Sequence, residues 1–177
     1  PELIAPLLSM AEASAEPPGY EPGQHYLDRA HEIAAINFDK TSTEYADALF
    51  RIVRHSYFYP PSTDTGNTLG QVLDIYREQV EPPAERIGNA LAWFGIYHSY
   101  RGEYRKAERF YLEALSVLEG PDEDLRIAYD KVSGMLTQLR AGLEERQEEA
   151  DDLARAREEF ESDPDYDSKL PIIRVAP

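Results

Sequence analysis

A chain of 177 residues is the length of one ordinary domain and can bury a core without covalent staples. It has no Cys, which excludes disulfides, thiolate metal sites and a Cys nucleophile. Its 34 Asp and Glu outweigh 18 Lys and Arg, for a net charge of −16; a surface of that sign repels phosphate backbones and anionic lipid, so nucleic acid and membrane surfaces are not expected partners.

No apolar run approaches the roughly 18 residues that span a bilayer, so this segment is not expected to insert in a membrane. Leu3–Leu8 is apolar but follows no basic residue, which does not fit an intact signal peptide. A first residue of Pro without Met leads us to expect an excised or processed piece of a longer protein.

In chain order, one short helix is predicted from about Ile4 to Glu16, broken by Pro17-Pro18-Gly19 and Pro22-Gly23. From Gln24, Tyr26, Leu27, Ala30, Ile33, Ala34 and Phe38 recur at the steps of one helix face. Thr41-Ser42-Thr43-Glu44 offers N-caps, with Glu44 three residues after Thr41 as in a capping box. The helix that follows carries Tyr45, Ala48, Leu49, Ile52 and Val53 and stops at Pro60-Pro61. Ser62–Asn67 reads as a polar turn, and Leu69–Val80 as a helix ended by Glu81-Pro82-Pro83. Pro83 suits a first helical position. Ala84–Tyr100 and Glu103–Leu118 read as two helices around Gly102, and Gly120-Pro121-Asp122 as a stop and a new start. No window alternates as a strand does, so the chain is expected to be all-α, with seven or eight helices.

Helix starts also repeat. Tyr45-Ala46-Asp47-Ala48-Leu49-Phe50 lies over Ile87-Gly88-Asn89-Ala90-Leu91-Ala92 at an offset of 42, and the latter over Ala128-Tyr129-Asp130-Lys131-Val132-Ser133 at 41. Two helices per period near 40 indicate stacked hairpins, because one hairpin cannot bury its apolar face alone. In the middle unit Leu91, Phe94, Gly95, Gly102, Tyr104, Ala107, Tyr111 and Ala114 alternate small and large residues, and Pro121 closes it late. That unit resembles a tetratricopeptide repeat, with the longer period of the kinesin-light-chain subtype. His98 stands where that family usually has Tyr. The resemblance implies that Gly95 and Ala107 let the two helices approach, with Tyr111 above Ala114. It is good over 88–121, fair over 122–140 and weak over 24–80.

The expected organisation is an N-terminal helix and linker over 1–23, a tetratricopeptide-like superhelix of about three hairpins over 24–143, an acidic helical extension over 144–162 and an extended linker over 163–177. Leu125, Tyr129, Val132, Leu136, Leu139 and Leu143 form a packing seam that continues, weakened by two arginines, through Arg146, Ala150, Leu153, Arg157 and Phe160. A dimer through this C-terminal helix is the alternative use of the seam. The tail Leu170-Pro171-Ile172-Ile173-Arg174-Val175-Ala176-Pro177 resembles the lead-in to the C-terminal domain of TonB-type energy transducers. That likeness covers eight residues and implies a periplasmic protein in which a Tyr-Pro and a small α/β domain follow.

For chemistry the sequence offers little. His25, His31, His55 and His98 contain no i, i+4 pair, so they read as packing or surface residues and no metal site is expected. No G-x-S-x-G, Walker-type loop or dinucleotide fingerprint is present, so neither an enzyme nor a cofactor is expected. The carboxylates Glu144, Glu145, Glu148, Glu149, Asp151 and Asp152 read as a solvated face, or as attraction for a basic partner or divalent cations. Dense aromatics at Tyr57-Phe58-Tyr59 and Trp93-Phe94, Tyr97 and Tyr100 read as repeat packing or a groove.

The repeat resemblance implies a groove lined by the first helix of each unit. Carried over by position, it is Asp47, Phe50, Arg54, Tyr57 and Phe58, then Asn89, Ala92, Ile96, Ser99 and Tyr100, then Asp130, Ser133, Thr137, Arg140 and Ala141. Asp47, Asn89 and Asp130 would form a row able to bond an extended peptide backbone. The paired lysines with which chaperone-binding relatives hold a C-terminal carboxylate are missing, so a free C-terminus is not an expected ligand. The expected function is non-catalytic binding of a protein or peptide, favouring basic partners, in a periplasmic TonB-like transducer. The alternatives are a structural spacer and a cytoplasmic regulatory or adaptor repeat protein.

Overall fold

A computed structural model describes residues 2–13, 24–55 and 63–161. Among these the chain is all-helical, with seven helices: α1 (Ile4–Ala13), α2 (Gln24–Asn37), α3 (Thr43–His55), α4 (Thr63–Arg77), α5 (Ala84–Tyr100), α6 (Tyr104–Leu118) and α7 (Glu123–Glu161). The chain divides into two compact units, Pro1–Leu136 and Thr137–Pro177.

In the first unit successive helices pack as neighbours, α1 on α2, α2 on α3, α3 on α4, α4 on α5 and α5 on α6, and α1 also touches α3. Ile4, Tyr45, Ile87 and Ala128 hold equivalent places near the starts of α1, α3, α5 and α7, and all four are buried. One turn on, Leu8, Leu49, Leu91 and Val132 are also buried. The partner helices α2 and α4 show the same register, with Leu27, Ala30 and Ala34 buried in one and Leu69, Val72 and Tyr76 in the other. The three helix pairs are therefore α1/α2, α3/α4 and α5/α6. The start at Ala128 lies within α7, which has no companion helix after it among the described residues.

This changes the place of α1, which the sequence assigned to a separate 1–23 segment. Ile4, Leu8 and Ala11 are in the core at 3%, 1% and 0% exposure. Pro6 falls in the first turn of α1, where the missing N–H has no helical partner to lose.

Local chemistry sets the helix ends. Asp39 Oδ1 accepts from the Thr41 amide at 2.9 Å and its hydroxyl at 2.7 Å, so Thr41 is taken up in the turn. The cap of α3 is accordingly Ser42, whose Oγ accepts from the Tyr45 amide at 3.1 Å, and not the Thr41–Glu44 box expected. The stretch Thr63–Asn67, read as a turn, is the opening of α4. A Cβ on Gly66 would lie 3.0 Å from the Tyr97 ring, so a side chain there would crowd α5. Pro83 is the extended residue before α5, one place earlier than predicted. Gly102 has φ +72, its amide donates to the Ser99 carbonyl and that of Glu103 to the His98 carbonyl. This left-handed glycine stop ends α5 and, two residues on, α6 begins.

The α5/α6 pair is closely apposed. A Cβ on Gly95 would sit 2.4 Å from Tyr111 Cε1, and one on Gly88 2.4 Å from Leu118 Cγ. Ala107, Ala114 and Leu118 are fully buried beside them.

In the second unit the described residues are the later part of α7. Over 137–158 these residues are exposed apart from Leu139, Gly142 and Leu143, which are half-buried. The acidic extension expected from 144 is helical to Glu161; the linker and the tail carrying the transducer likeness lie outside the described residues.

Candidate functional site

Those of the expected groove side chains that the structure describes fall on α3, α5 and α7. On α3, Asp47 is half-buried and both its carboxylate oxygens are engaged. Oδ1 accepts from the Tyr76 hydroxyl of α4 at 2.7 Å, and Oδ2 lies 3.0 Å from Nη1 of Arg86 on α5. One carboxylate thus joins three successive helices. Burial, then the hydrogen bond and charge of Asp47, push the Tyr76 phenol well above its ordinary range, with Arg86 opposing.

Phe50, one turn along α3, is half-buried and meets Trp93 of α5 edge to face, with ring centroids 6.4 Å apart at 89°. Arg54 is exposed on the next turn. Tyr57 and Phe58 lie outside the described residues.

On α5, Asn89 is half-buried and its amide reaches Glu85 Oε1 at 3.4 Å. Ala92 is in the core at 4% exposure. Ile96 is half-buried, and Ser99 Oγ donates to the Gly95 carbonyl at 2.9 Å. Tyr100 is 58% exposed. On α7, Asp130 is exposed and Ser133 half-buried, both in the first unit; Thr137, Arg140 and Ala141 are exposed in the second.

The structure brings together Asp47, Phe50, Arg86 and Trp93, where α3 meets α5. Two of these, Arg86 and Trp93, were not carried over by the repeat offset. The offset maps Phe50 onto Ala92, which is buried; the neighbouring Trp93 takes the half-exposed place. Aromatic density around Trp93 was a visible signal, whereas nothing local marked Arg86.

A second cluster holds the turn between α5 and α6. The Phe94 and Phe110 rings stack on each other (4.7 Å, 12°), and the His98 ring lies nearly parallel beside both, 6.2 Å from Phe94 and 5.1 Å from Phe110. Its Nδ1 lies 2.8 Å from Glu103 Oε2, which Lys106 also approaches at 2.8 Å, while Arg101 contacts Oε1 at 3.1 Å. Hydrogen bonds from Lys106, Arg101 and His98, in that order, hold the Glu103 carboxyl down at about 2. The Arg101 guanidinium also covers the Tyr97 ring at 5.5 Å. His98 thus serves packing and turn geometry.

Among the described residues, no group of three or more His, Cys, Asp or Glu is placed to hold a metal ion, and no helix is long and apolar enough to cross a membrane. The α3–α5 surface can offer aromatic edges, a guanidinium, an amide and a phenol, which suits adhesion to another chain. Compared with known proteins, the chain matches no family model, no curated protein and no solved structure at a significant level.

Proposed function

We propose that this chain is a non-catalytic protein–protein interaction module, and that the surface spanning α3 and α5 is where an extended peptide segment of its partner lies. The observation that carries this reading is the row of partly exposed groups running along α3 and α5. Asp47–Arg86 supplies a charged pair, Phe50–Trp93 an aromatic ledge, and Asn89, Ile96 and Tyr100 continue the row along α5. Tyr and Trp give large contact area at low cost in side-chain entropy, and Arg adds a planar donor. The net charge of −16 favours basic partners and makes association sensitive to salt.

The repeat likeness of residues 88–121 supports a tetratricopeptide-like stack. The eight-residue tail supports placing that stack in a periplasmic TonB-like energy transducer, where it would hold a partner or assembly near the energy-coupling machinery. The transducer reading predicts that Tyr-Pro and a small α/β domain follow Pro177 in the full gene product. A gene product without them leaves the module without that context.

The binding face is tested by site-specific photocrosslinking from positions 93 and 100 in cells. Asn89→Ala, Trp93→Ala and Tyr100→Ala are then measured against whichever partner is captured. A binder loses about tenfold or more in affinity at Trp93 or Tyr100 while keeping its helical content. A spacer forms no position-dependent crosslink, and its variants behave as the parent does.

A further inference from the structure

The later part of α7 carries a second, separate feature. Leu139, Leu143, Arg146, Ala150, Leu153 and Arg157 follow at steps of four and three, which keeps them on the side of a helix that would meet a neighbouring helix. In the first unit the same spacing along α7 places Val132 and Leu136, both buried. From Glu144 to Glu158 every side chain is exposed, Leu153 at 72%. Among the described residues of the second unit no other element exists to cover the row.

The surroundings of the row say what would cover it. Gly142 and Ala156 flank it on one side and Ala154 on the other, with Ala150 inside it, so a partner helix could approach closely. Beyond them run two carboxylate edges: Glu144, Asp151 and Glu158 on one side, Glu145, Glu149 and Asp152 on the other. Between Glu144 and Glu158, seven carboxylates meet three arginines. Like charges recur at i, i+4 in Glu144/Glu148, Glu145/Glu149 and Glu148/Asp152, which opposes the helix when it stands alone. Opposite charge alongside would relieve that repulsion, whereas a second copy would bring acidic edges together.

We propose that the Leu139–Leu153 row of α7 docks a basic amphipathic helix of another polypeptide, its apolar positions facing the row and its lysines or arginines reaching the two carboxylate edges. This site is independent of the α3–α5 surface.

The test uses the full 177-residue chain and a synthetic helix-forming peptide of about 28 residues, with Leu at the facing positions and Lys beside them. A scrambled peptide of the same composition and a version with Glu for Lys are the controls, all titrated by fluorescence anisotropy. The lysine peptide is expected to bind at least about tenfold tighter than either control and to weaken as salt rises. The double substitution Ala150→Asp with Leu153→Asp lies at exposed positions and is expected to reduce binding about tenfold while leaving the thermal transition of the first unit in place. Reversing one edge, with Glu145→Lys, Glu149→Lys and Asp152→Lys together, is expected to shift preference towards the Glu peptide. Equal binding of the scrambled peptide overturns the proposal in favour of undirected charge attraction. Equal binding of the Glu peptide, or no effect of the Asp substitutions, overturns it as well. Sedimentation equilibrium showing self-association lost in the Asp variant would assign the row to a second copy instead.

Discussion

At Gly95 the absence of a side chain decides how closely two helices approach. A methyl group there would meet the Tyr111 ring at 2.4 Å, well inside van der Waals contact. Gly95→Ala, and Gly88→Ala against Leu118, are each expected to destabilise by about 1–3 kcal/mol through overpacking, read as a lower urea midpoint. Gly95→Ala combined with Tyr111→Ala should cost less than the two changes summed, because they share one contact. Gly95 was recognisable as the small member of a small–large pattern. Gly88 was not, since its partner Leu118 is thirty residues away and leaves no local mark. Glu103 makes a different prediction. Its carboxyl is held at about 2, below the usual carboxylate range, by Lys106, Arg101 and His98. A depressed folded-state value stabilises above the unfolded carboxylate range and loses that contribution as pH falls through it towards 2. The group is near solvent, so salt should soften the effect. Glu103→Gln is expected to flatten this part of the acid-unfolding curve, and a carboxyl NMR titration of Glu103 should show its low midpoint directly.

Helices depend on what covers them. α1 is only ten residues long and would be marginal alone, yet it places Ile4, Leu8 and Ala11 in the core with α2 and α3 as neighbours. Leu8→Ala is therefore expected to cost about 2–5 kcal/mol in chemical denaturation, the range for a fully buried leucine, if α1 is part of the cooperative unit. A loss within a few tenths of a kcal/mol would instead mark α1 as a frayed appendage. The helices from α2 to α6 were largely legible because their apolar residues keep a helical period, and Gly102 announced the end of α5. The role of α1 was harder to read. Ile4 stands forty-one residues before Tyr45, the repeat offset, but prolines and glycines after it suggested a detached segment. The opening of α4 was missed because Thr63–Asn67 is composed of turn-forming residues. The site was half legible for a related reason. Phe50 and Asn89 follow from position in the repeat, whereas the Asp47–Tyr76–Arg86 clasp joins residues from three helices that share no sequence pattern.

Across the molecule the two units differ in how their backbone is protected. Residues of α3, α5 and α6 lie under packed neighbours, while from Glu144 to Glu158 every α7 side chain faces solvent. Hydrogen exchange should therefore be at least about a hundredfold faster along 144–158 than in the buried turns of α5 and α6. Equal protection would mean that α7 is held by contacts not seen among the described residues. The length of α7 has a mechanical consequence. At about 1.5 Å per residue, its 39 residues reach about 58 Å. Tension applied at its carboxyl end meets a lone ladder of hydrogen bonds running along the line of pull, which unzips turn by turn. The helices upstream bear the same tension, but drawing residues 137–161 out to full extension would add about 45 Å of length while their interleaved packing still held. A tug on the chain is thus taken up as stretch along this segment before the packed helices give way.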